Sequence, residues 1–459
     1  MLVNGSVRHD ARVRKSAVSL RDAGLEVLVL GAVQTGVGAT SGWEQDDGIE
    51  LQVVPVGDAR LPRRQARAAQ HAARLDARRD RVKRRLQELR ERAGSTQRMS
   101  LRDRLLYRAL RRRRRHAKSR ARRAKEGQKR LEAPLKIRRD IGDPLRLADY
   151  EAAWWPLVRK LRPDIVHAHD RSGLSVARRA ARGGARWIYD AHEHPLKRHF
   201  GQEGMDEAIR QQIAEHALHA DAVITVGAPL AETLASMLGL PQAPALVHNT
   251  PALRTGAAPQ PGLREAAGVG AHEPLLVYTG ALTRHRRLGV VLESMAMLPG
   301  VHLALVVDPK DPRAKKLRGR AEELGVSERV HVLPMVAPES VVPFVREADV
   351  GVYPLTRYPG GDIALPNKLF EYLHAGLPMV VSDSPAMADF VLRHGLGEVA
   401  PVDDAAAWGQ AIERALAPPH YRDSVSQWEA LKEEWCCERE EETLIAVYRE
   451  VLARDAGSR

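Results

Sequence analysis

Lys368 and Glu371 stand three residues apart in the segment PNKLFEYLHAG, which predicts a short helix that begins near Asn367. The loop before it contains Gly360-Gly361. Loop amides and a helix N-terminus favour an anion, Lys368 adds a positive charge, and Glu371 can accept hydrogen bonds from a ribose diol. Together these groups suit a nucleoside diphosphate. An ordinary β-loop-α unit capped by Asn367 would carry the same local pattern, so the interpretation depends on other segments.

A second group of positive side chains follows the apolar stretch from Leu275 to Tyr278. Gly280, Arg284 and Arg286 fall in one loop, at the predicted carboxyl end of a buried strand. Guanidinium groups at that place would stabilise the negative charge that develops on a departing diphosphate. Arginine clusters on protein surfaces are often only solvated, but the position after a buried strand favours a site.

The opening segment NGSVRHDAR brings Ser6, Arg8 and Asp10 into a turn of small residues before a predicted helix. Such a turn is a candidate acceptor or phosphate loop, because it presents polar side chains and free amides at a helix N-terminus. Asp10 could instead be only the N-cap of the helix, in a solvated turn.

Four histidines occur in two short segments, HAHD at residues 167–170 and DAHEHP at residues 190–195. Their spacing matches no compact zinc motif such as H-E-x-x-H, so we predict no metal site. Each segment ends a predicted strand, where histidines can serve as hydrogen-bond donors that face a cleft. His192 is the best placed of them, because it follows an apolar strand and precedes Glu193.

Short apolar runs alternate with helix-length segments along most of the chain, which indicates parallel sheets covered on both faces. The predicted strands are Glu26–Val33, Asp164–His169, Trp187–Ala191, Asp221–Val226, Leu275–Gly280, Val301–Val307, Arg329–Val336, Asp349–Tyr353, Pro378–Ser382 and Glu398–Val402. Met335 ends one of them, where main-chain groups could meet a nucleobase, although a purely structural strand explains that segment equally well.

The sequence from Thr250 to Pro274 is rich in Ala, Pro and Gly and interrupts this alternation. We interpret it as a linker between two doubly wound α/β domains that face a central cleft. The predicted domains are residues 1–250 for the acceptor, residues 273–420 for the nucleotide, and a C-terminal helix at 421–459 that packs back on the first domain. Ligands bind such sheets beyond the carboxyl ends of the strands.

The 459-residue chain has a formal net charge of +14, and that charge is concentrated in one segment. Residues 61–140 hold 31 of the 72 Lys and Arg but only 8 of the 58 Asp and Glu. No apolar run reaches the roughly 18–20 residues of a membrane span, and the N-terminus lacks a signal-peptide core. The two cysteines, Cys436 and Cys437, are adjacent and cannot form a disulfide framework, so we expect a cytoplasmic protein.

The basic segment predicts a helical hairpin inserted into the first domain, with ends near Pro62 and Pro134 and a break at residues 94–96. Two apolar lines at heptad-like spacing predict its seam: Ala68, Ala72, Leu75, Val82, Leu86 and Leu89, then Leu106, Leu110, Ala117, Ala121 and Ala124. The hairpin could dock on an anionic membrane surface or another polyanion, or be solvated with no partner. We expect no specific nucleic acid.

Taken together, these segments resemble glycosyltransferase family 4, whose members are retaining enzymes of the two-domain GT-B fold. The resemblance covers the chain outside residues 61–140. It rests on NGSVRHDARV, YDAHE, ADAVITV, LVHNTP, YTGAL and PNKLFEYLHAG. It implies that His192 lies near the acceptor and the transferred sugar, and that Glu371 is the ribose ligand.

The sequence departs from the family pattern in three places. Arg286 occupies the position of the phosphate-binding lysine, but Ala281 stands where the arginine is expected, and Arg284 is the candidate to compensate. Ile363 stands where the first glutamate of a two-glutamate motif is expected, with Asp362 one residue out of register. Gly361 and Asp362 could instead offer main-chain amides. The first strand is also short for the family, as it would be if translation began upstream of Met1.

We therefore predict a retaining glycosyltransferase that uses a nucleotide sugar, with no cofactor and no metal, since Arg286, Lys368 and a helix dipole would neutralise the leaving group. The donor is expected near Gly280, Arg284, Arg286, Met335, Gly361, Asp362, Asn367, Lys368 and Glu371, and the acceptor near Ser6, Arg8, Asp10 and His192. Two alternatives stay open: a nucleotide-sugar epimerase or hydrolase of the same fold, and a polyanion- or membrane-binding protein with an inactive cleft.

Overall fold

The computed structural model describes residues 1–5, 10–34, 42–46, 48–56, 60–93, 100–141, 147–192, 194, 203–417 and 425–454. The chain forms two compact units. The first comprises Met1–Gly31, Gly42–Val53 and Trp154–Arg459, and the second Ala32–Ser41 and Val54–Ala153.

The strands are β1 (Leu2–Asn4), β2 (Leu28–Gln34), β3 (Gly42–Asp46), β4 (Ile49–Val56), β5 (Ile165–His169), β6 (Arg186–Ala191), β7 (Ala222–Thr225), β8 (Ala245–Leu246), β9 (Leu275–Thr279), β10 (His302–Val306), β11 (Val330–Leu333), β12 (Val350–Tyr353), β13 (Met379–Ser382) and β14 (Gly397–Ala400).

The α-helices are α1 (Ala11–Asp22), α2 (Arg60–Ala93), α3 (Leu101–Ile141), α4 (Leu147–Leu161), α5 (Leu174–Ala181), α6 (Glu203–Ala217), α7 (Ala228–Leu238), α8 (Leu263–Ala267), α9 (Leu288–Met295), α10 (Pro312–Glu323), α11 (Val341–Val345), α12 (Pro359–Asp362), α13 (Asn367–Ala375), α14 (Pro385–Arg393), α15 (Ala405–Leu416), α16 (Val425–Glu434) and α17 (Cys437–Ala453).

The first sheet has the strand order β3-β4-β2-β1-β5-β6-β7-β8. β5 to β8 pair in parallel, and β3 forms an antiparallel hairpin with β4 that the sequence patterns did not predict. The parallel register sets His169 of β5 beside Asp190 of β6. Because carboxyl ends of parallel strands share one edge, this pairing gathers the polar ends of HAHD and DAHEHP.

The second sheet has the order β11-β10-β9-β12-β13-β14, and its neighbouring strands are parallel. Every residue of β9, β12 and β13 is buried, as continuous apolar strands covered on both faces should be. The two sheets, parallel except for the hairpin of β3 and β4, and their intervening helices confirm the predicted class of two doubly wound α/β domains.

Close packing fixes α13, the helix of Lys368 and Glu371, on the second sheet. The Tyr372 ring is fully buried, and a Cβ at Gly351 of β12 would lie 2.5 Å from it. The Tyr372 hydroxyl donates to the Val277 carbonyl at 3.2 Å. Burial of a side chain of this size stabilises by about 1.5–3 kcal/mol. The contact therefore holds the first turn of α13 at a set height above β9 and β12.

The last two helices contact different sheets. α16 buries Trp428 and Leu431 in the core of the second sheet, whereas α17 buries Leu444 and Tyr448 against the first. The chain turns between them at the two free, buried cysteines, Cys436 and Cys437.

The turn between α16 and α17 is tied to the segment that leaves the first sheet. The Cys437 amide donates to the Pro251 carbonyl at 2.8 Å, and Glu440 accepts from the His248 amide at 2.7 Å. The two places where the chain passes between the sheets therefore lie side by side.

The helical hairpin of α2 and α3 forms most of the second unit. Its seam buries Leu86, Leu110 and Ala121, and Lys125 of α3 pairs with Asp76 of α2 at 2.8 Å. Leu106, expected in the seam, is instead 47% exposed, because Tyr107 and Leu110 take the inward positions. The side chains of Ala68 and Ala72 lie outside the described residues.

The first hairpin end lies near Pro62, as predicted, but the second does not lie near Pro134. α2 begins at Arg60, with Pro62 in its first turn, where the amide that proline lacks has no intrahelical partner. α3 runs through Pro134 to Ile141. Among the described residues, no helix is both long and apolar enough to cross a bilayer.

Candidate active site

The first turn of α13 forms a compact polar cluster. Glu371 accepts from Lys368 Nζ at 2.8 and 2.9 Å and from Asn367 Nδ2 at 2.9 Å. The Thr279 hydroxyl, at the end of β9, lies 3.4 Å from the same carboxylate. Glu371 is therefore held by donors that a ligand could replace.

Gly280 lets the loop after β9 approach this cluster. Its φ of +112° lies in a region that L side chains rarely adopt, and an added Cβ would lie 3.0 Å from Lys368 Cε. A larger residue would push Lys368 away from Glu371. The predicted donor residues Gly280, Asn367, Lys368 and Glu371 are thus brought together by the structure.

Arg286 is fixed above the end of β12. Its guanidinium carbon lies 4.6 Å from the centroid of the Tyr353 ring, and its backbone bridges to Leu355. A cation over an aromatic face is stabilised by the ring quadrupole, so the stack on Tyr353 holds the guanidinium in place.

The other arginines of this loop turn elsewhere. Arg284 donates to His285 at 3.0 Å, and Arg287 pairs with Asp403 at 2.6 Å. Both line a separate cavity of about 300 Å³, which Arg286 shares.

Two of the predicted donor residues meet protein partners instead of this cluster, and a third projects outward. Asp362 pairs with Arg357 at 2.7 Å, and Gly361 is buried under the Tyr358 ring. Met335 lies in the loop after β11 with its side chain 57% exposed.

The first sheet contributes a buried ionic network. Arg12 donates to both Asp190 oxygens at 2.8 Å, and neither side chain is more than 5% exposed. His169 Nδ1 lies 3.2 Å and His167 Nε2 3.5 Å from Asp190. His167 Nδ1 is within 2.8 Å of the Tyr448 hydroxyl on α17.

Burial by itself would raise the pKa of Asp190, but Arg12 and the neighbouring histidines hold it well below its usual range. Burial lowers the pKa of His167, and it lowers that of His169 to about 3. Both histidines are therefore neutral at pH 7, and the charges of the network belong to Arg12 and Asp190.

A metal ion is a poor fit to this network. Ligand atoms of His167, His169 and Asp190 lie within 4.8 Å of one another, a spacing that an ion could bridge. However, both Asp190 oxygens already accept from Arg12, whose positive charge would repel a cation in a fully buried site. The guanidinium of Arg12 therefore takes the place that a cation would need beside Asp190.

His192 stands at the edge of the network. Its Nε2 lies 2.9 Å from Asp170, and its Nδ1 lies 3.9 Å from Asp190. Burial alone would lower the pKa of His192, but Asp170, with help from Asp190, raises it well above the ordinary value. The imidazole is therefore charged at neutral pH.

A cavity of about 430 Å³ joins the two sheets within the first unit. Its lining includes Asp10, Arg12 and His192 from the first sheet and Arg286, Tyr358 and Asn367 from the second. Asp10 is also the N-cap of α1 and accepts from the Val13 amide at 3.1 Å. Ser6 and Arg8 lie outside the described residues.

Sequence reasoning did not select Arg12, Asp170 or Asp190 as site residues. The two aspartates stood in the HAHD and DAHEHP segments, and the pairing of β5 with β6 would have signalled their proximity. Nothing in the sequence pairs Arg12 with a residue 178 positions away.

Two family descriptions match the chain. Residues 273–418 match Glycosyl transferases group 1, and residues 95–250 match Glycosyltransferase Family 4. The chain belongs to glycosyltransferase family 4. The second match begins inside the insert at residues 61–140, so the relation of this family 4 chain to its relatives extends into α3.

Solved structures show that this family 4 chain has the GT-B fold. Sucrose-phosphate synthase from Thermosynechococcus elongatus superimposes with a TM-score of 0.67 over 99% of both chains, at 16% identity. HepE from Anabaena, in complex with UDP-glucose, gives 0.54 over 64% of this chain and 81% of its own, at 15% identity. At such identities the likeness shows the fold alone.

Sequence relatives match a shorter stretch. The D-inositol 3-phosphate glycosyltransferase of Mycobacterium sp. (strain JLS) is 28% identical over 170 residues, which are 35% of this chain and 38% of that protein. The chain spans less than half the length of the curated relatives it matches.

Proposed function

We propose that this protein transfers a glycosyl group from a nucleoside diphosphate sugar to an acceptor, with retention of the anomeric configuration and without a metal ion. The observation that carries the proposal is the shared cavity, which Arg286 and Asn367 line from one sheet and His192 from the other. The solved complex of HepE with UDP-glucose supports a nucleotide sugar as donor.

The donor half would work by exchange of partners. When a nucleotide binds, Lys368 leaves Glu371 for the diphosphate, and Glu371 accepts from the ribose hydroxyls in its place. Arg286, Lys368 and the N-terminus of α13 then stabilise the charge that grows on the departing diphosphate, which is the work a divalent ion does elsewhere.

The acceptor half would hold the attacking hydroxyl on the face from which the diphosphate departs. His192 is charged, so it cannot take the proton of that hydroxyl, and the departing phosphate oxygen is the base. The new glycosidic bond forms as the sugar–phosphate bond breaks on the same face, which retains the configuration.

A donor and acceptor screen tests the proposal. Thermal shift with UDP-, GDP-, ADP- and dTDP-sugars should identify a stabilising donor. Transfer with that donor should persist in EDTA, and NMR should show a product of unchanged anomeric configuration. Dependence on Mg²⁺ or Mn²⁺, or an inverted product, would contradict it.

Two control measurements separate the alternatives. Conversion of the donor at the same rate with and without acceptor would favour an epimerase or hydrolase. His192→Ala should lose transfer while it keeps nucleotide affinity; the opposite result would mean that the two halves have been assigned wrongly.

A second proposal concerns the hairpin of α2 and α3, which we infer docks on an anionic membrane surface. Arg111 to Arg115 form an exposed run, and Leu105 and Leu106, near the start of α3, are 64% and 47% exposed. Exposed leucines beside arginines suit a bilayer, where the apolar chains enter the interface and the cations meet lipid phosphates. Nucleic acid phosphates would use only the arginines.

Sedimentation with vesicles that contain 30% anionic lipid tests this docking. Leu105→Ser with Leu106→Ser should weaken binding at 150 mM salt, while Ala109→Ser, an exposed change on the same helix, should not. Equal binding to RNA at matched salt, insensitive to the leucine changes, would show that the hairpin is only a polyanion binder.

A further inference from the structure

His192 is clamped between two carboxylates where it meets the cavity. Asp170 Oδ2 lies 2.9 Å from Nε2, and Asp190 Oδ1 lies 3.9 Å from Nδ1. Asp190 is fully buried, whereas the side chains of His192 and Asp170 are 18% and 34% exposed. Nε2 is within hydrogen-bond distance of its carboxylate, whereas Nδ1 lies beyond that distance but close to a second negative charge. Two carboxylates this near favour a ring protonated on both nitrogens.

Asp170 holds an unusual backbone conformation to reach this position. Its φ is +51° and its ψ is −168°, a combination that glycine adopts readily and other residues rarely do. Its amide donates to the Asp190 carbonyl at 2.8 Å. The turn that follows is tightly packed, because a Cβ at Gly173 would lie 2.9 Å from the Ala168 Cβ.

The Asp170 carboxylate has no capping role that would explain it. Asp170 precedes a short 3-10 turn at Arg171–Gly173, the place where an aspartate usually accepts from the backbone, but its side chain makes no such hydrogen bond. A residue that strains the backbone and does not cap is retained for another contact. The ion pair with His192 is a contact of that kind.

Among the described residues, titratable groups on β5, β6 and α1 lie around His192. Asp190 on β6 faces it directly, and Arg12 on α1 is committed to Asp190. His169 on β5 has its ring centroid 5.9 Å away and is neutral, because burial lowers its pKa to about 3. Since Arg12 compensates Asp190, the carboxylate left to balance a charged His192 is Asp170.

We propose that Asp170 is a positioning residue that keeps His192 doubly protonated and oriented, so that the cavity wall carries a fixed cation on the side of the first sheet, opposite Arg286 on the second. The contribution of that cation to glycosyl transfer rests on the proposed function. The protonation of His192 does not, since it follows from the contacts of the first sheet alone.

Asp170→Asn separates charge from shape. Asparagine has the size of aspartate and tolerates positive φ, so the turn should be retained while the anion is lost. NMR titration of the histidine ring protons reads the result without substrate, with the His192 signal assigned by its absence in His192→Gln. Asp389→Asn, which removes a carboxylate from the exposed pair with Arg393, is the matched control.

In Asp170→Asn the His192 titration midpoint should move to lower pH by about 1–3 pH units, and in Asp389→Asn it should not move. An unchanged midpoint in Asp170→Asn would overturn the proposal. Should that variant not fold, Asp170→Gly suits the backbone conformation and carries the same test.

Once a donor and acceptor are known, the pH profile of kcat/KM gives a second test. A charged His192 is present below its pKa, so Asp170→Asn should match the wild type on the acid side and lose about tenfold per pH unit above its displaced midpoint. The double variant with His192→Gln should be no slower than His192→Gln alone. An equal loss at every pH, or additive losses, would mean that Asp170 does not act through His192.

Discussion

The two sheets that border the cavity hold their charged groups in opposite ways. On the second sheet, Lys368 and Glu371 satisfy each other at the start of a helix, and a ligand can replace either partner. On the first sheet, Arg12 and Asp190 are sealed under the strands and cannot exchange. The difference indicates that a donor binds by replacing contacts between side chains of the second sheet. The side chains of the acceptor half, in contrast, are already in place before any ligand binds.

The largest effect should come from breaking the sealed pair. Arg12→Ala leaves Asp190 charged, buried and unpaired, and should lower the free energy of unfolding by about 3–5 kcal/mol. Arg357→Ala removes an exposed partner of Asp362 and should cost about 0–1 kcal/mol. Urea unfolding compares the two, and similar losses would show that the first-sheet network is not rigid.

Substitutions on the donor side should reduce turnover more than they reduce the free energy of unfolding. Arg286→Ala and Lys368→Ala should each lower turnover by roughly 10²–10³-fold, because each removes one cation from the departing diphosphate. Arg284, in the same loop but turned to His285, should lose less on substitution by alanine. Steady-state kinetics with the identified donor checks this, and equal losses in all three variants would place Arg284 in the same site.

Glu371→Ala should weaken nucleotide binding by about 1.5–3 kcal/mol, through loss of charge-assisted bonds to the ribose. Calorimetry measures the affinity, with Glu323→Ala on the exposed face of α10 as control. Unchanged affinity in a folded Glu371→Ala protein would remove this carboxylate from the site.

The smallest expected effect is the loss of stability at acid pH. Unfolded His169 binds a proton near pH 6.5, but the folded residue binds it only near pH 3, so stability contributed by this site is lost as pH falls below 6.5. Between pH 7 and pH 5 the loss should be about 2 kcal/mol. His169→Gln should show a shallower decline in urea unfolding. If the free energy of unfolding fell equally with pH in the wild type and in His169→Gln, protonation of His169 would not be the cause of the acid sensitivity.

Sequence alone was sufficient where the pattern is local. Continuous apolar runs found the strands of the second sheet, and the spacing of Lys368 and Glu371 found α13, because helix contacts between residues three apart follow from sequence position. The GT-B fold followed from the resemblance and is confirmed.

The sequence could not predict contacts that depend on strand order. Arg12 meets Asp190 only because β1 lies beside β5 and β5 beside β6, an arrangement of a sheet and not of a segment. Leu106 was assigned to the hairpin seam because it lies four residues before Leu110, but Tyr107, three residues before Leu110, is the more buried of the two. Pro134 does not end α3, since a long helix can absorb the loss of one hydrogen bond.

The two passages of the chain between the sheets, at residues 248–251 and 434–437, lie side by side and together form a candidate hinge. Two adjacent crossings allow the sheets to rotate about the axis that joins the crossings and restrict other rotations. We therefore expect the cleft to open and close by rotation about this one axis. Both cysteines belong to the second of these passages and are buried. Burial raises the pKa of Cys437 to about 12, so its thiol is unreactive while the hinge is packed. The rate at which a thiol reagent labels Cys437 in the unmodified protein would therefore report how often the packing at this hinge opens.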